Sequence, residues 1–285
     1  MEEVRIVSTT RDRLGEGPVW DAQSRTLLWV DIMGHAVNQL SLDNDNQARF
    51  ELDEPVGWII PRQGRSDFIV GLASGFAVLD LGTGQTTAIG DPEPDRPHSR
   101  MNDAKVDRWG RIWAGTKCDR DTPGAGSLYR LDPDLTWQKL DSGYDVTNGP
   151  TFSLDGMTMY HTDSAARTIY AFDFGADGSI GERRVWLRFE PDWGYPDGMT
   201  TDAEGCIWVA HWDGARVSRF SPSGQLLRSI ELPARNITSC TFAGPLLDRM
   251  FVTSSTINQE SDPNAGALFE VCTGVVGIES IRFGG

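Results

Sequence analysis

Residues 102–116 read NDAKVDRWGRIWAGT, and residues 197–212 read DGMTTDAEGCIWVAHW. Both stretches place a polar residue before a short apolar strand, a turn rich in Asp and Gly, and a second strand that carries Trp. The pattern has two further clear copies and two weaker ones, which start at Glu16, Asn148, Trp58 and Ser239. Successive copies begin 42 to 49 residues apart. A repeat of about this period with several short strands per copy is typical of a β-propeller, in which each copy forms one blade.

Apolar residues alternate with polar ones inside these copies, and Gly, Pro, Asp and Asn interrupt the chain about every 8 to 12 residues. Three strands per copy can be recognised, and the more polar segments between copies supply a fourth. We therefore predict an all-β, six-bladed β-propeller with four-stranded blades around a central metal site, formed by residues 1–285 as a single domain. We expect residues 4–8 to close the ring by pairing with the last blade near residues 277–282.

The charge of the chain argues against a nucleic-acid partner. The 285 residues carry a formal net charge of −15, the sequence pI is near 4.6, and no cluster of Lys and Arg offers a local exception. A phosphate backbone would be repelled by such a surface. Most of the carboxylates are expected to form a solvated surface, and a minority to bind cations.

The cysteine pattern and the N-terminal segment bear on the compartment. Four cysteines form neither a CxxC pair nor a zinc-ribbon spacing, so we expect reduced, buried thiols. The opening MEEVRIVSTTRDR is charged and lacks an apolar run long enough for a signal peptide or a membrane span. We therefore expect a cytoplasmic protein without a membrane partner; the sequence does not indicate its oligomeric state.

Four polar residues hold the same position at the start of their copies: Glu16, Asn102, Asn148 and Asp197. The innermost strand of each propeller blade starts at one rim of the central channel, so these side chains would meet there. Each one alone is compatible with a turn or a cap, but their alignment favours a binding site. Two carboxylates and two amide oxygens suit one divalent cation such as Ca²⁺, Mg²⁺ or Mn²⁺, with Zn²⁺ or Fe²⁺ as alternatives.

Other conspicuous side chains are assigned to the core. His161 and His211 fall in second strands, where a hydrogen-bonded core histidine is more common than a metal ligand. Trp58 replaces the polar residue of its copy, and we expect it to wall the central pocket. Packing between blades is predicted for three further tryptophans, Trp29, Trp113 and Trp208.

Five segments carry a resemblance to a known family: LGEGPVWD, RMNDAKVDRWGRIWAGT, TNGPTFSLDGMTMYHTDS, YPDGMTTDAEGCIWVAHWDGARVSRFSP and NITSCTFAG. From residue 14 to about residue 272, the chain resembles the SMP-30/gluconolactonase/regucalcin-like sugar lactonases, and its NGP and HTDS segments are more similar to the bacterial members. The resemblance implies a divalent metal held by Glu16, Asn148 and Asp197. It also implies that Arg100 and Asn102 contact the substrate, which makes Asn102 a substrate ligand rather than a direct metal ligand.

One expected substrate contact has no clear equivalent. The resemblance implies an acidic residue after the GT of the third copy, where this chain reads GTKCDRDTPGAGS. Asp119 and Asp121 are both candidates.

The function implied by the resemblance is the hydrolysis of a sugar (aldono) lactone to an open-chain aldonic acid. Gluconolactone, xylonolactone and arabinolactone are the substrates that it suggests, with a metal-activated water as the nucleophile and Asp197 as general base and acid. Two alternatives stay open. The same metal site would suit organophosphate hydrolysis, and a calcium-binding regulatory or interaction propeller would need no catalysis.

Overall fold

The computed structural model describes residues 4–120 and 122–285, which form six four-stranded antiparallel sheets. A short strand, β1 (Val4–Ile6), precedes the first blade. Blade 1 contains β2 (Gly15–Asp21), β3 (Thr26–Asp31), β4 (Ala36–Ser41) and β5 (Gln47–Glu51). Blade 2 contains β6 (Val56–Pro61), β7 (Phe68–Leu72), β8 (Gly75–Asp80) and β9 (Gln85–Gly90). Blade 3 contains β10 (Ser99–Val106), β11 (Ile112–Cys118), β12 (Gly126–Leu131) and β13 (Trp137–Tyr144).

The second half of the chain repeats this arrangement. Blade 4 contains β14 (Thr147–Phe152), β15 (Thr158–Asp163), β16 (Thr168–Asp173) and β17 (Arg184–Arg188). Blade 5 contains β18 (Tyr195–Thr201), β19 (Ile207–Trp212), β20 (Arg216–Phe220) and β21 (Leu226–Glu231). Blade 6 contains β22 (Ile237–Ala243), β23 (Arg249–Ser254) and β24 (Phe269–Cys272), and β1 is its fourth strand.

The inner strands form a closed ring, because neighbouring ones contact each other from β2 through β6, β10, β14, β18 and β22 and back to β2. Side chains of the second strands are mostly buried, as throughout β3, whereas outer strands such as β9 are mostly exposed. The fold is the predicted all-β, six-bladed β-propeller with four-stranded blades.

Ring closure follows the prediction for the N-terminal segment but not for its partner. Val4 pairs with Val271, and Ile6 pairs with Phe269. The prediction of residues 277–282 as the partner was wrong, because the tail leaves blade 6 after Cys272 and crosses the far rim of the channel, where the inner strands end. There Gly277 pairs with Asp202, and the buried Phe283 packs into the core between blades 2 and 3.

Buried carboxylates fasten the second strand to the turn before it in two blades. Asp202 accepts hydrogen bonds from the backbone N–H groups of Glu204 and Cys206, both at 3.0 Å, and from the Trp208 indole at 2.9 Å. The guanidinium of Arg219 lies 2.7 Å from the same carboxylate. Blade 3 repeats this arrangement at Asp107 with Trp109, Arg111 and Trp113. Like Trp113 and Trp208, Trp29 is fully buried, which confirms that all three belong to the core.

We expect Asp202→Ala to lower the free energy of unfolding by about 3 kcal/mol, because it leaves the buried Trp208 N–H without its acceptor and removes one of the two carboxylate partners of Arg219. Urea unfolding followed by fluorescence measures the change. Asp134→Ala, which removes a carboxylate from an exposed turn, is the matched control and should change stability much less. Equal losses in the two variants would contradict the role assigned to the Asp202 hydrogen bonds.

Helical structure is minimal in this chain. A single 3₁₀ turn, at Pro191–Trp193, occurs within the described ranges 4–120 and 122–285. No helix in those ranges has the length and apolar character needed to cross a lipid bilayer. The four cysteines are free thiols, as expected, and Cys206 and Cys240 are buried. The expectation of burial was wrong for Cys272, which is exposed, and for Cys118, which is half-buried.

Candidate functional site

Each inner strand is irregular near its start, at the rim where the predicted site lies. The pairing with the second strand shifts register between Glu16 and Val19 in blade 1, between Asn148 and Thr151 in blade 4, and between Pro196 and Met199 in blade 5. The other three blades also shift register near the start of the inner strand, between Met101 and Ala104, between Val56 and Trp58, and between Ile237 and Ser239. A bulge of this kind re-aims side chains locally. The repeated position found in the sequence therefore lies at a bulge, with Glu16 and Asn148 paired just before it and Asn102 and Asp197 inside it.

Glu16 and Asp197 form a buried pair of carboxyl groups. Their side chains lie within hydrogen-bonding reach of each other, and each residue is only 4% exposed. The backbone N–H of Gly17 donates to Glu16 Oε2 over 3.0 Å. By contrast, Asp197 Oδ1 is buried and has no hydrogen-bond donor in the part of the chain that the structure describes. Two carboxyl groups in contact, one with an unsatisfied oxygen, are costly to bury unless a cation joins them.

The electrostatics of the pair follow from burial and like charge. Burial and the neighbouring Asp103 carboxylate raise the pKa of Glu16 to about 8, although Arg100 partly offsets this. The pKa of Asp197 is raised well above its ordinary value, first by burial and then by the charges of Glu16 and Asp103. Without a cation the site therefore resists ionisation of both carboxyl groups, and a bound positive charge would favour their ionised forms.

Asp103 is a third buried carboxyl group that the sequence interpretation missed. Its Oδ1 accepts the N–H of Ala104 at 2.7 Å, and its Oδ2 accepts the N–H of Gly149 at 2.9 Å. Burial raises its pKa to about 6, while Lys105 opposes the rise. The second bond holds the backbone directly after Asn148. In the sequence, its position beside Asn102 in the RMND segment could have indicated a place in the site. Only the fold shows that the Asp103 carboxylate reaches blade 4.

The three amide and guanidinium side chains predicted for the site are joined to one another. Arg100 Nη1 donates to Asn102 Oδ1 at 2.7 Å, and Asn102 Nδ2 donates to Asn148 Oδ1 at 2.9 Å. Asn102 Nδ2 also donates to the Thr147 carbonyl at 2.6 Å. All three side chains are buried. Because Arg100 and Asp103 also act on the Glu16 carboxyl electrostatically, the structure brings all five predicted site residues to one end of the channel.

The acidic side chain that meets Arg100 is Asp119. Its Oδ1 lies 2.9 Å from Arg100 Nε, and its side chain is 45% exposed. An exposed carboxylate beside a buried guanidinium can be reached by a small polar ligand. The alternative candidate, Asp121, lies outside the described residues.

The donor set fits a divalent cation that prefers oxygen. No three His, Cys, Asp or Glu side chains within residues 4–120 and 122–285 are arranged to hold a metal. The candidate ligands are the Glu16 and Asp197 carboxyls, and the Asn148 amide oxygen stays the third ligand predicted from the sequence. Asp197 Oδ1 has an unused lone pair, and its environment favours positive charge. Carboxylate and amide oxygens without imidazole or thiolate are the ligands of Ca²⁺, Mg²⁺ and Mn²⁺.

The remaining predicted residues lie in the core. His211 is buried and its Nδ1 contacts the Trp193 carbonyl at 2.7 Å, whereas both ring nitrogens of buried His161 lack hydrogen-bond partners within the described residues. His161 is therefore a core residue but not the hydrogen-bonded one expected. The prediction that Trp58 walls the central pocket was wrong: its ring packs against Gly71 and lies 6.1 Å from the Phe76 ring inside the apolar core.

Comparison with known proteins gives a consistent result. The model of the family described as "SMP-30/Gluconolactonase/LRE-like region" matches residues 14–256. Regucalcin from Gallus gallus is 36% identical over 99% of this chain and 99% of its own length. The 6-deoxy-6-sulfogluconolactonase of Pseudomonas putida is 33% identical over 100% of this chain and 99% of its own. The crystal structure of a calcium-binding protein, regucalcin, from Agrobacterium tumefaciens superposes with a TM-score of 0.93 at 27% identity, covering 99% and 97% of the two chains.

Proposed function

Because the chain belongs to the SMP-30/gluconolactonase/LRE-like family, we propose that it is a lactone hydrolase that opens a sugar lactone to the corresponding aldonic acid. The observation that carries this proposal is the buried Glu16–Asp197 carboxyl pair beside the hydrogen-bonded side chains of Arg100, Asn102 and Asn148. A propeller that binds no ligand would gain no stability from burying two carboxyl groups side by side. The 6-deoxy-6-sulfogluconolactonase of Pseudomonas putida, which matches this chain over 99% of its own length, supports a sugar lactone as the substrate.

A divalent cation is part of the proposal, and Glu16, Asn148 and Asp197 would hold it. When bound, such a cation polarises a carbonyl oxygen and lowers the pKa of water, which makes a nucleophile available near neutral pH. It would also neutralise the two carboxylates that otherwise repel each other. The donor atoms favour Ca²⁺, Mg²⁺ or Mn²⁺, and the name of the Agrobacterium relative favours Ca²⁺.

Asp197 is proposed as the residue that moves the proton. It would bind the cation through one carboxylate oxygen, as the unsatisfied Oδ1 allows within the described residues, and would accept the proton of an attacking water with the other. It would then return that proton to the ring oxygen that leaves as the lactone opens.

Arg100 and Asn102 are proposed to orient the substrate. Asn102 Oδ1 accepts one hydrogen bond from Arg100, and its second lone pair can accept a sugar hydroxyl. The Arg100 guanidinium can stabilise the negative charge that develops on the carbonyl oxygen. Asp119, held by Arg100 at the exposed side of the site, would accept hydroxyls at the far end of the sugar.

The direct test is a substrate panel measured with and without cations. After chelation and dialysis, the protein should lose turnover of gluconolactone, xylonolactone, arabinonolactone and 6-deoxy-6-sulfogluconolactone, and at least one of Ca²⁺, Mg²⁺, Mn²⁺, Zn²⁺ or Fe²⁺ should restore it. A phosphotriester in the same panel tests organophosphate hydrolysis. Unchanged lactone turnover in excess chelator would refute the metal-dependent mechanism.

A second candidate is a calcium-binding regulatory propeller, which the names of the regucalcin relatives favour. Tight Ca²⁺ uptake without turnover of any lactone would support it over hydrolysis. For either function we propose the cytoplasm as the compartment, because all four cysteines are free thiols.

A further inference from the structure

A continuous chain of side-chain hydrogen bonds runs across the site from blade 3 to blade 5. It begins with Arg100 and Asn102 and continues through Asn148, whose Nδ2 donates to Ser164 Oγ at 2.8 Å. Ser164 Oγ in turn donates to the carbonyl of Pro196 at 2.6 Å. Pro196 directly precedes Asp197. The chain therefore links two proposed cation ligands through one serine.

The direction of every bond in this chain is fixed by its two ends. An arginine guanidinium can only donate, and a backbone carbonyl can only accept. The single hydroxyl proton of Ser164 is used by Pro196, so towards Asn148 this hydroxyl can only accept. The Asn148 amide must consequently turn its nitrogen towards Ser164 and its oxygen towards Asn102.

We propose that Ser164 is a positioning residue for the cation site: together with Asn102, it selects the Asn148 rotamer in which the amide oxygen, and not the NH₂ group, faces the cation. This inference rests on the proposed function, since it assumes that Asn148 is a ligand. Ser164 is well placed for the role. It is buried, and its backbone N–H is fixed to the Val146 carbonyl at 2.9 Å.

The test compares cation affinity in Ser164→Ala with that in a matched serine variant. Ser218 is also buried and hydrogen-bonded, to Ser229 at 2.8 Å, but it lies on the third strand of blade 5. We expect Ser164→Ala to bind Ca²⁺ or Mn²⁺ about ten- to a hundredfold more weakly by isothermal titration calorimetry, as is usual when a residue that orients a metal ligand is removed. Ser218→Ala should bind the same ion with wild-type affinity, even if its melting temperature falls equally.

A second pair of variants isolates the amide orientation. Asn148→Asp presents an oxygen in either rotamer, so it removes the need for Ser164 to select one. In the Asn148→Asp background, adding Ser164→Ala should therefore cost no further cation affinity, whereas it costs at least tenfold in the Asn148 protein. An equal loss in both backgrounds, or wild-type affinity in Ser164→Ala, would overturn the proposal for Ser164 alone. A wild-type protein that binds none of the cations would overturn the proposed function together with it.

Discussion

Asp197→Asn is expected to lower kcat/KM for the best sugar lactone by about a thousandfold or more, because it removes the proposed base and weakens a cation ligand. The fold should survive the change. The wild-type carboxyl is buried beside Glu16 and Asp103, and a neutral amide of the same shape relieves this repulsion. Steady-state kinetics at saturating cation measure the loss, and circular dichroism and thermal melting establish that the variant is folded.

The matched control makes the same change at an exposed turn. Asp134 accepts the N–H of Thr136 at 3.0 Å in blade 3, and Asn at this position can accept the same bond. Asp134→Asn should retain wild-type kcat/KM. If Asp197→Asn also hydrolysed lactones at nearly the wild-type rate, Asp197 would be neither the base nor a required ligand, and the proposed mechanism would be wrong.

The architecture was predictable because its determinants are local and repeated. The clear copies that begin at Glu16, Asn102, Asn148 and Asp197 each carry an apolar strand, an Asp- or Gly-containing turn and a second apolar strand, and this pattern determines a hairpin without reference to the rest of the chain. The propeller then brings equivalent positions together. Glu16, Asn148 and Asp197 could therefore be grouped although they are far apart in sequence.

The supporting residues could not be predicted in this way, because their roles depend on contacts between blades. Asp103 adjoins Asn102, yet its carboxylate acts on Gly149 in the next blade. Ser164 follows the second strand of blade 4 and bonds to Pro196 of blade 5. Neither residue occupies the repeated position. The side of the strand that each faces depends on a bulge or a turn, and one residue of register reverses that choice.

A weaker copy of the repeat, the one that starts at Trp58, shares the backbone irregularity without carrying a polar site residue. The inner strand of blade 2 has a bulge like the other blades, because a register shift separates Val56 from Trp58. Trp58 is apolar, however, and its ring packs into the core instead of forming part of a polar site. The bulge is thus a feature of every blade, whereas polar residues stand at the bulge in only some blades. Those blades form the part of the rim that is suitable for a cation. Function in this ring depends on the departures from its symmetry.

Glu16→Gln is expected to change stability in opposite directions with and without cation. In the chelated protein, the pKa of Glu16 is raised from an ordinary value of 4.5 to about 8. Between these two values the folded chain keeps a proton that the unfolded chain has released, so the stability of the wild type falls as the pH rises from about 4.5 to 8. Gln cannot ionise and avoids this loss. At pH 8 in chelator, the variant should therefore melt several degrees above the wild type, and the difference should shrink as the pH is lowered towards 4.5.

Excess cation should reverse the order. A cation that binds only the folded wild type stabilises it in proportion to the logarithm of its concentration over Kd, and the variant, which has lost a carboxylate ligand, gains much less. Glu51→Gln, on the exposed outer strand of blade 1, should follow the wild type under both conditions. Lower stability of Glu16→Gln in chelator at pH 8 would show that the Glu16 carboxylate is not under electrostatic strain. If the variant melts above the wild type in chelator and below it in excess cation, the Glu16 carboxylate destabilises the cation-free fold and binds the cation.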